Sequence, residues 1–255
     1  MSASTPQWLR RVAEIVPTDT TGTNPVLSRY PTPTQDARRA AVLVLFGGSA
    51  ESAALPADAE VLLTQRASTL RQHSGQVAFP GGGADQGDDS PIATALREAQ
   101  EETGLDPSGV EPLAVLPGIF VPPSKFDVTP VVAYWRTPSP VGVVDAAEAE
   151  RVVPVSVHTL LEPANRFVVR HPLGYRGPAF MVEGMLVWGF TGGILAGLLA
   201  VSGWELPWDH SDVRDLESTL AEAGMTDSLL QSPVPDSPSL RSDSTTFAEE
   251  KSSRQ

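Results

Sequence analysis

The chain contains no cysteine, which removes disulfides, thiolate nucleophiles and cysteine-ligated zinc or iron–sulfur centres together. Lysine is nearly absent too, standing only at positions 125 and 251, and lysine plus arginine number 18 against 31 acids. The resulting formal net charge of -13 argues against a general electrostatic nucleic-acid binder, so no nucleic-acid partner is expected. Any metal must then be held by carboxylates or by the four histidines. Any phosphate must be met by that metal or by a few local arginines. The first 36 residues, running through PTDTTGTNP and RYPTPTQ, lack a basic stretch followed by an apolar one. A secretory signal is therefore not expected, and the expected location is the cytoplasm. Repeats at solenoid or propeller spacing are missing as well.

What is present is an ordinary globular mix: 255 residues, 41% hydrophobic, enough to bury a core. Residues 1–36 are polar and rich in Pro and Thr, and read as a flexible N-terminal segment. From Ser211 onward the chain carries nine acids and four bases, and after Gln231 it has almost no aliphatic residues. Residues 211–255 accordingly read as an acidic, Ser/Pro-rich, largely disordered tail, leaving residues 37–210 as the folded domain.

Within that domain Ala40–Phe46, Glu60–Thr64, Val110–Leu116 and Val131–Trp135 are short apolar runs that read as buried strands. Ser90 suits a helix N-cap, Pro91 the first helical position and Gly104 a C-cap, so a helix is expected over Ile92–Thr103. Strands on both sides of a helix give a mixed α/β or α+β domain. The uncharged run Gly184–Gly203 is long enough to cross a bilayer and has glycines at GxxxG spacing. β-type residues over Met181–Trp188, the interruption at Gly189 and Thr191 as a cap favour a buried strand followed by a buried helix through Leu199. No membrane span is expected.

On the first helix Glu98, Glu101 and Glu102 stand at i, i+3 and i+4 and share one face. Carboxylates so close repel one another, and a divalent cation would relieve that repulsion; oxygen-only ligands suit Mg²⁺ or Mn²⁺. An isolated EAQEE is equally compatible with a solvated acidic face. Arg97 can pair with Glu101 under either reading. Just before the helix, Phe79-Pro80-Gly81-Gly82-Gly83 enters a loop holding Asp85, Asp88 and Asp89. Glycines there let the backbone approach a pyrophosphate and offer its N–H groups as donors, although a plain flexible turn would use the same residues.

The segment Gly83–Leu105, GADQGDDSPIATALREAQEETGL, resembles the Nudix box, G-x5-E-x7-R-E-U-x-E-E-x-G-U with U apolar. Gly83, Arg97, Glu98, Glu101, Glu102, Gly104 and Leu105 fall in register, with Ala99 as a small U. Asp89 stands where the pattern has Glu, one methylene shorter. The preceding segment Leu62–Gly82, LLTQRASTLRQHSGQVAFPGG, is similar to the signature of the coenzyme A pyrophosphatase branch, LLT-x-R-S/A-x3-R-x3-G-x3-FPGG. Trp188-Gly189-Phe190-Thr191 and GGILAGL more loosely resemble the family's late strand and closing helix.

The resemblance implies a Nudix fold, an α/β/α sandwich around a mixed sheet. It also implies divalent-metal-dependent cleavage of the diphosphate in coenzyme A or acyl-CoA, giving phosphopantetheine and adenosine 3′,5′-bisphosphate. Glu98, Glu101 and Glu102 would bind metal; Glu98, Glu101 and Arg97 would serve catalysis, with Glu148 in DAAEAER an alternative base. Arg66, Arg71, Phe79, Gly81, Gly82 and Gly83 would meet substrate, with His73 a nearby donor. Val121–Phe126 reads as a stiff loop that could border the substrate, and His158, His171 and His210 are assigned no function. Two alternatives stay open: hydrolysis of another nucleoside diphosphate compound such as ADP-ribose, NADH or an oxidised nucleotide, and a Nudix-like module that senses a nucleotide without cutting it. Oligomeric state is open, with a homodimer among the options.

Overall fold

A computed structural model of the chain describes residues 5–14, 36–69, 75–121, 124–171 and 174–225. After a short 3-10 turn at Gln7–Leu9 come helix α1 (Arg10–Ala13) and strands β1 (Arg38–Gly47), β2 (Glu60–Arg66), β3 (Val77–Ala78) and β4 (Gly81–Gly83). Helix α2 (Pro91–Thr103) leads to β5 (Val110–Val115), β6 (Ile119–Val121), β7 (Phe126–Trp135) and β8 (Ala149–Ser156). Helix α3 (Val157–Leu161), β9 (Arg166–Arg170), β10 (Arg176–Val182), β11 (Met185–Val187), α4 (Gly189–Ser202), β12 (Val213–Asp215) and α5 (Leu216–Glu222) complete the order.

Among the described residues β1–β8 form one mixed sheet whose main path runs β3-β2-β1-β7-β5. Strands β1 and β7 are parallel and in register from Arg38 with Phe126 to Phe46 with Tyr134. β1 pairs with β2 only at its far end, Phe46 and Gly47, and with β4 at its near end, Ala40 to Val42. The sheet thus splits along one side of β1, between its pairings with β2 and with β4. Alternation does the rest. Ala41, Leu43 and Leu45 of β1 and Val131, Ala133 and Trp135 of β7 pack beneath α2 with Ala95 and Ala99. Val44, Phe46, Val132 and Tyr134 face the other way, onto α4, α5 and a second sheet. That second sheet has the order β11-β10-β9-β12. Helices on both faces of the mixed sheet make the expected α/β/α sandwich, with the small sheet sharing the second layer.

Four expectations need correction. The run Met181–Trp188 is two strands, because Glu183 (φ 51°) and Gly184 (φ 72°) both take left-handed conformations and fold it into a hairpin with a two-residue turn. Thr191 does not cap α4: Trp188 holds the N-cap position, and the Thr191 hydroxyl donates to the Val77 carbonyl at 3.0 Å, tying the helix to β3. The domain also begins before residue 37, since Trp8, Leu9 and Val12 are buried in the larger core and the Trp8 indole N–H donates to the Ser49 carbonyl. It continues past residue 210, where β12 pairs in parallel with β9 and Leu216 and Leu220 of α5 are buried. The rest of the expected flexible N-terminal segment, residues 1–4 and 15–35, and of the expected tail, residues 226–255, lies outside the described residues.

No described helix is long and apolar enough to cross a membrane. Helix α4, with 14 residues, extends only about 21 Å, against the roughly 30 Å of a hydrocarbon core. If α5 is part of the core, Leu220→Ala should cost about 2–5 kcal/mol in urea unfolding; an unchanged midpoint would return residues beyond 210 to the status of a tail.

Candidate active site

Helix α2 is fixed at both ends by local chemistry. The Ser90 hydroxyl accepts from the Ala93 N–H at 3.2 Å, Pro91 occupies the first turn, and Gly104 closes the helix at φ 72°. Ala95, Ala99 and Thr103 are buried against the sheet, and this sets the opposite face with Arg97, Glu98, Glu101 and Glu102 against the glycine run.

The three glycines serve this helix one by one. The Gly81 N–H donates to Glu102 Oε2 at 3.1 Å. At Gly82 a Cβ would lie 2.5 Å from the Glu98 carboxylate, so only glycine leaves room for that group. The Gly83 carbonyl accepts from Arg97 Nη2 at 2.9 Å. The expectation that this run presents its N–H groups to phosphate is therefore corrected at Gly81, whose N–H is engaged by Glu102. Phe79, expected at the substrate, is instead a core residue at 2% exposure; its side chain anchors the loop from below.

Arg97 ties the carboxylates together. Its Nε and Nη2 bind Asp88 Oδ1 and Oδ2 at 3.1 and 2.9 Å. Its Nη1 lies 3.0 Å from both Glu98 Oε1 and Glu101 Oε2. The pairing with Glu101 was legible from the i, i+4 spacing; the pairing with Asp88 was not. The Arg97 guanidinium holds the Asp88 carboxyl well below the usual carboxylate range. Burial pushes Glu98 up, against the pull of Arg97. Burial likewise pushes Glu102 up to about 7, opposed by the Gly81 N–H and by Arg66, and reinforced by Glu98 and Glu148. Glu101 stands at the edge, its side chain 59% exposed.

Arg66, at the end of β2, is close enough to act on the Glu102 charge, and its buried Nε has no hydrogen-bond partner. Next to it the Ala67 N–H donates to the Glu148 carbonyl, which brings the exposed Glu148 side chain to the same end of β2. Arg71 and His73, expected nearby, lie outside the described residues, as do Pro122 and Pro123 of the expected stiff loop. On the far side of Gly83 an open cavity of about 540 Å³ is lined by Arg38, Arg39, Asp88, Ser90 and Phe126 among others. The Arg38 guanidinium lies 4.1 Å from the centre of the Phe126 ring. The pair Arg38-Arg39 stands beside the glycine run, where the Arg39 carbonyl accepts from the Ala84 N–H, and its only sequence signal is two arginines opening an apolar run.

Among the described residues no three carboxylate or imidazole side chains already enclose a metal position. The donor set nevertheless suits a hard divalent cation that keeps waters and uses one or two carboxylates. Glu98 and Glu102 are desolvated and mutually repelling, costs offset in part by Arg97, by one peptide N–H and by the charge of Arg66. A cation between them would relieve both costs.

A glycine run folded onto a capped helix of acids, all carried on a mixed sheet, thus gathers oxygen donors that suit a hard divalent cation. The family model described as NUDIX domain matches residues 36–171, and the chain belongs to the Nudix family, hydrolases of nucleoside diphosphate derivatives that generally use divalent metals. It is 44% identical over 142 residues to a protein of Citrobacter koseri named "Uncharacterized Nudix hydrolase NudL", covering 53% of this chain and 71% of that protein. The protein of the same name from Escherichia coli K12 is 42% identical over 142 residues, with the same coverage. Among solved structures, a Nudix hydrolase from M. smegmatis, RenU, aligns with 18% identity and a TM-score of 0.45 over 68% of this chain and 91% of that one.

The two glycines make a paired test. A Cβ at position 81 would run into the Ala41 carbonyl and the Val42 backbone, neither of which can move, so Gly81→Ala should lower the melting temperature by several degrees. At position 82 the obstructed atoms are the movable end of Glu98, so Gly82→Ala should melt near wild type yet bind Mn²⁺ at least tenfold more weakly in an electron paramagnetic resonance titration. Unchanged Mn²⁺ affinity in a folded Gly82→Ala protein would remove Glu98 from the metal site.

Proposed function

We propose that this Nudix hydrolase cleaves the diphosphate bond of coenzyme A or its thioesters, giving (acyl-)4′-phosphopantetheine and adenosine 3′,5′-bisphosphate, with Mg²⁺ or Mn²⁺ as cofactor and the cytoplasm as its place of action. The observation that carries the reading is Arg66. It belongs to the LLTQRASTLRQHSGQVAFPGG segment, which resembles the signature of the coenzyme A pyrophosphatase branch, and its charge stands near enough to Glu102 to pull that carboxyl down against burial. A forked cation held near carboxylates that are themselves half or mostly buried suits a diphosphate oxygen. The names of the curated relatives specify no substrate.

In this reading Glu98 and Glu102 hold the cation, and Glu101 completes the set from the edge. When bound, the cation supplies charge neutralisation on the diphosphate and lowers the cost of ionising the attacking water. Glu98 accepts the proton that the water loses as its oxygen attacks one phosphorus in line, while the bond from that phosphorus to the bridging oxygen breaks and the other phosphate leaves with that oxygen and its electron pair. Arg97 keeps the Glu98 and Glu101 carboxylates in place, and Arg66 steadies the phosphate on which charge accumulates. Glu148 is the alternative proton acceptor, since it approaches the same end of β2, although its side chain is exposed.

Purified protein incubated with coenzyme A and Mg²⁺ or Mn²⁺ should release adenosine 3′,5′-bisphosphate, and in a panel with ADP-ribose, NADH and oxidised nucleotides coenzyme A or a thioester should have the highest kcat/KM. Higher kcat/KM for another member would replace the substrate assignment. Glu102→Gln should lower kcat roughly a hundredfold to a thousandfold without unfolding the protein; turnover near wild type would strip Glu102 of its role.

A further inference from the structure

The Nudix pattern places its first acid at position 89, where this chain has Asp. That side chain is exposed. The acid that engages Arg97 is its neighbour Asp88, whose side chain is only 8% exposed and meets the guanidinium edge-on with both oxygens. Asp88 Oδ2 also accepts from the Asp85 N–H at 2.9 Å, while the Asp88 N–H donates back to the Asp85 carbonyl at 3.1 Å, so the carboxylate is locked within its own turn. Asp85 itself reaches Arg97 only at 4.0 Å and is mostly exposed.

We infer that Asp88, one residue before the position where the pattern has Glu, is the positioning residue that holds Arg97 so that Glu98 can receive a divalent cation. The inference rests on the reading of Glu98 and Glu102 as metal ligands. A guanidinium prefers to meet a carboxylate with two parallel donors. If the Nε–Nη2 edge of Arg97 were free, it could clasp Glu98 bidentately and compete with a metal for both oxygens. Asp88 occupies that edge, and Gly83 takes a second hydrogen bond from Nη2. What is left for the glutamates is Nη1 alone, at 3.0 Å from Glu98 Oε1 and from Glu101 Oε2. Arg97 therefore steadies Glu98 through one oxygen without consuming the other.

The shift of one residue has a geometric reason. Ser90 is the N-cap of α2 in extended conformation, φ -161°, and the preceding loop doubles back at Asp85–Asp88 toward Gly83. An aspartate must start closer to Arg97 than a glutamate would, and position 88, on the inner side of the turn, provides that start.

The test is a titration of free Mn²⁺ by electron paramagnetic resonance, made on the whole chain without substrate, beside melting temperature and the steady-state constants for coenzyme A. Asp88→Asn should weaken Mn²⁺ binding about tenfold to a hundredfold, the usual cost of losing a group that orients a metal ligand, and lower kcat with KM little changed. Asp89→Asn should match wild type within about twofold, well under the tenfold cost expected of an orienting group. The double variant Asp88→Asn, Asp89→Glu, which moves the acid to the pattern's own position with the longer side chain, should recover most of the lost affinity. A fall in melting temperature of Asp88→Asn with unchanged Mn²⁺ affinity would make Asp88 a loop-stabilising residue only and overturn the inference, as would an equal loss in Asp89→Asn. Failure of the protein to cleave coenzyme A would sink the substrate reading while leaving the Mn²⁺ comparison decisive for Asp88.

Discussion

The constraint on which the rest of the structure turns is that carboxylates have to be gathered, partly dehydrated, at one place without driving one another apart. Arg97 is the local solution. It sits between Asp88 on the loop and Glu98 and Glu101 on the helix, and reaches back to the Gly83 carbonyl, so a single guanidinium ties loop, strand end and helix face. Shared among three anions, it cannot neutralise any of them fully. Glu102, which it does not touch, is left to a peptide N–H and to Arg66, and burial dominates its behaviour.

The fold supplies what such a cluster needs, which is a helix that cannot shift. Helix α2 is clamped from beneath by β1 and β7, whose alternate residues are divided between two cores on opposite faces of the sheet. Parallel pairing of β1 with β7 over nine residue pairs makes that floor stiff. β1 then parts from β2 and accepts the short β4 instead, which carries Gly81–Gly83 under the acidic face. Arg66, at the end of β2, lies near enough to act on the charge of Glu102. Position of the functional groups follows from where one strand changes partners.

What was legible in the sequence was what local chemistry decides. The limits of α2 came from Ser90, Pro91 and Gly104, because caps act within one turn of chain, and the strands came from runs whose burial on both faces leaves few polar residues. The ends of β1 and β7 were underestimated because Arg38, Arg39 and Asp127 join the ladder with side chains that burial does not select. The hairpin at Glu183-Gly184 was hidden in an apolar run, although a residue followed by glycine between two such stretches is a two-residue turn signal. Helix α5 was obscured by the acidity of its surroundings; Leu216, Thr219 and Leu220 at i, i+3 and i+4, with Asp215 as a cap, were the available sign. Asp88 was missed because a pattern fixes a position, whereas a side chain needs a reach, and shortening the acid by one methylene moves the best position by one residue.

The acidity of the chain acquires a definite meaning at the site. Among the described residues the charges acting on Asp88, Glu98, Glu101 and Glu102 include the guanidiniums of Arg97 and Arg66, and Arg97 is already spoken for by carboxylates on both of its edges. A diphosphate brought to Arg66 would add negative charge to a place that holds too much of it. Cations from solution can reverse the sign of that interaction: at a few ångströms and in reduced dielectric, each opposite-charge contact is worth several times its value in water. The excess of acid that would repel the substrate is thus the feature that, once a divalent ion is present, recruits it, and the arrangement makes affinity for the anion conditional on the metal. In the reading proposed above, that conditionality needs Glu98 and Glu102 to stay uncommitted, and Asp88, by occupying one edge of Arg97, leaves them so.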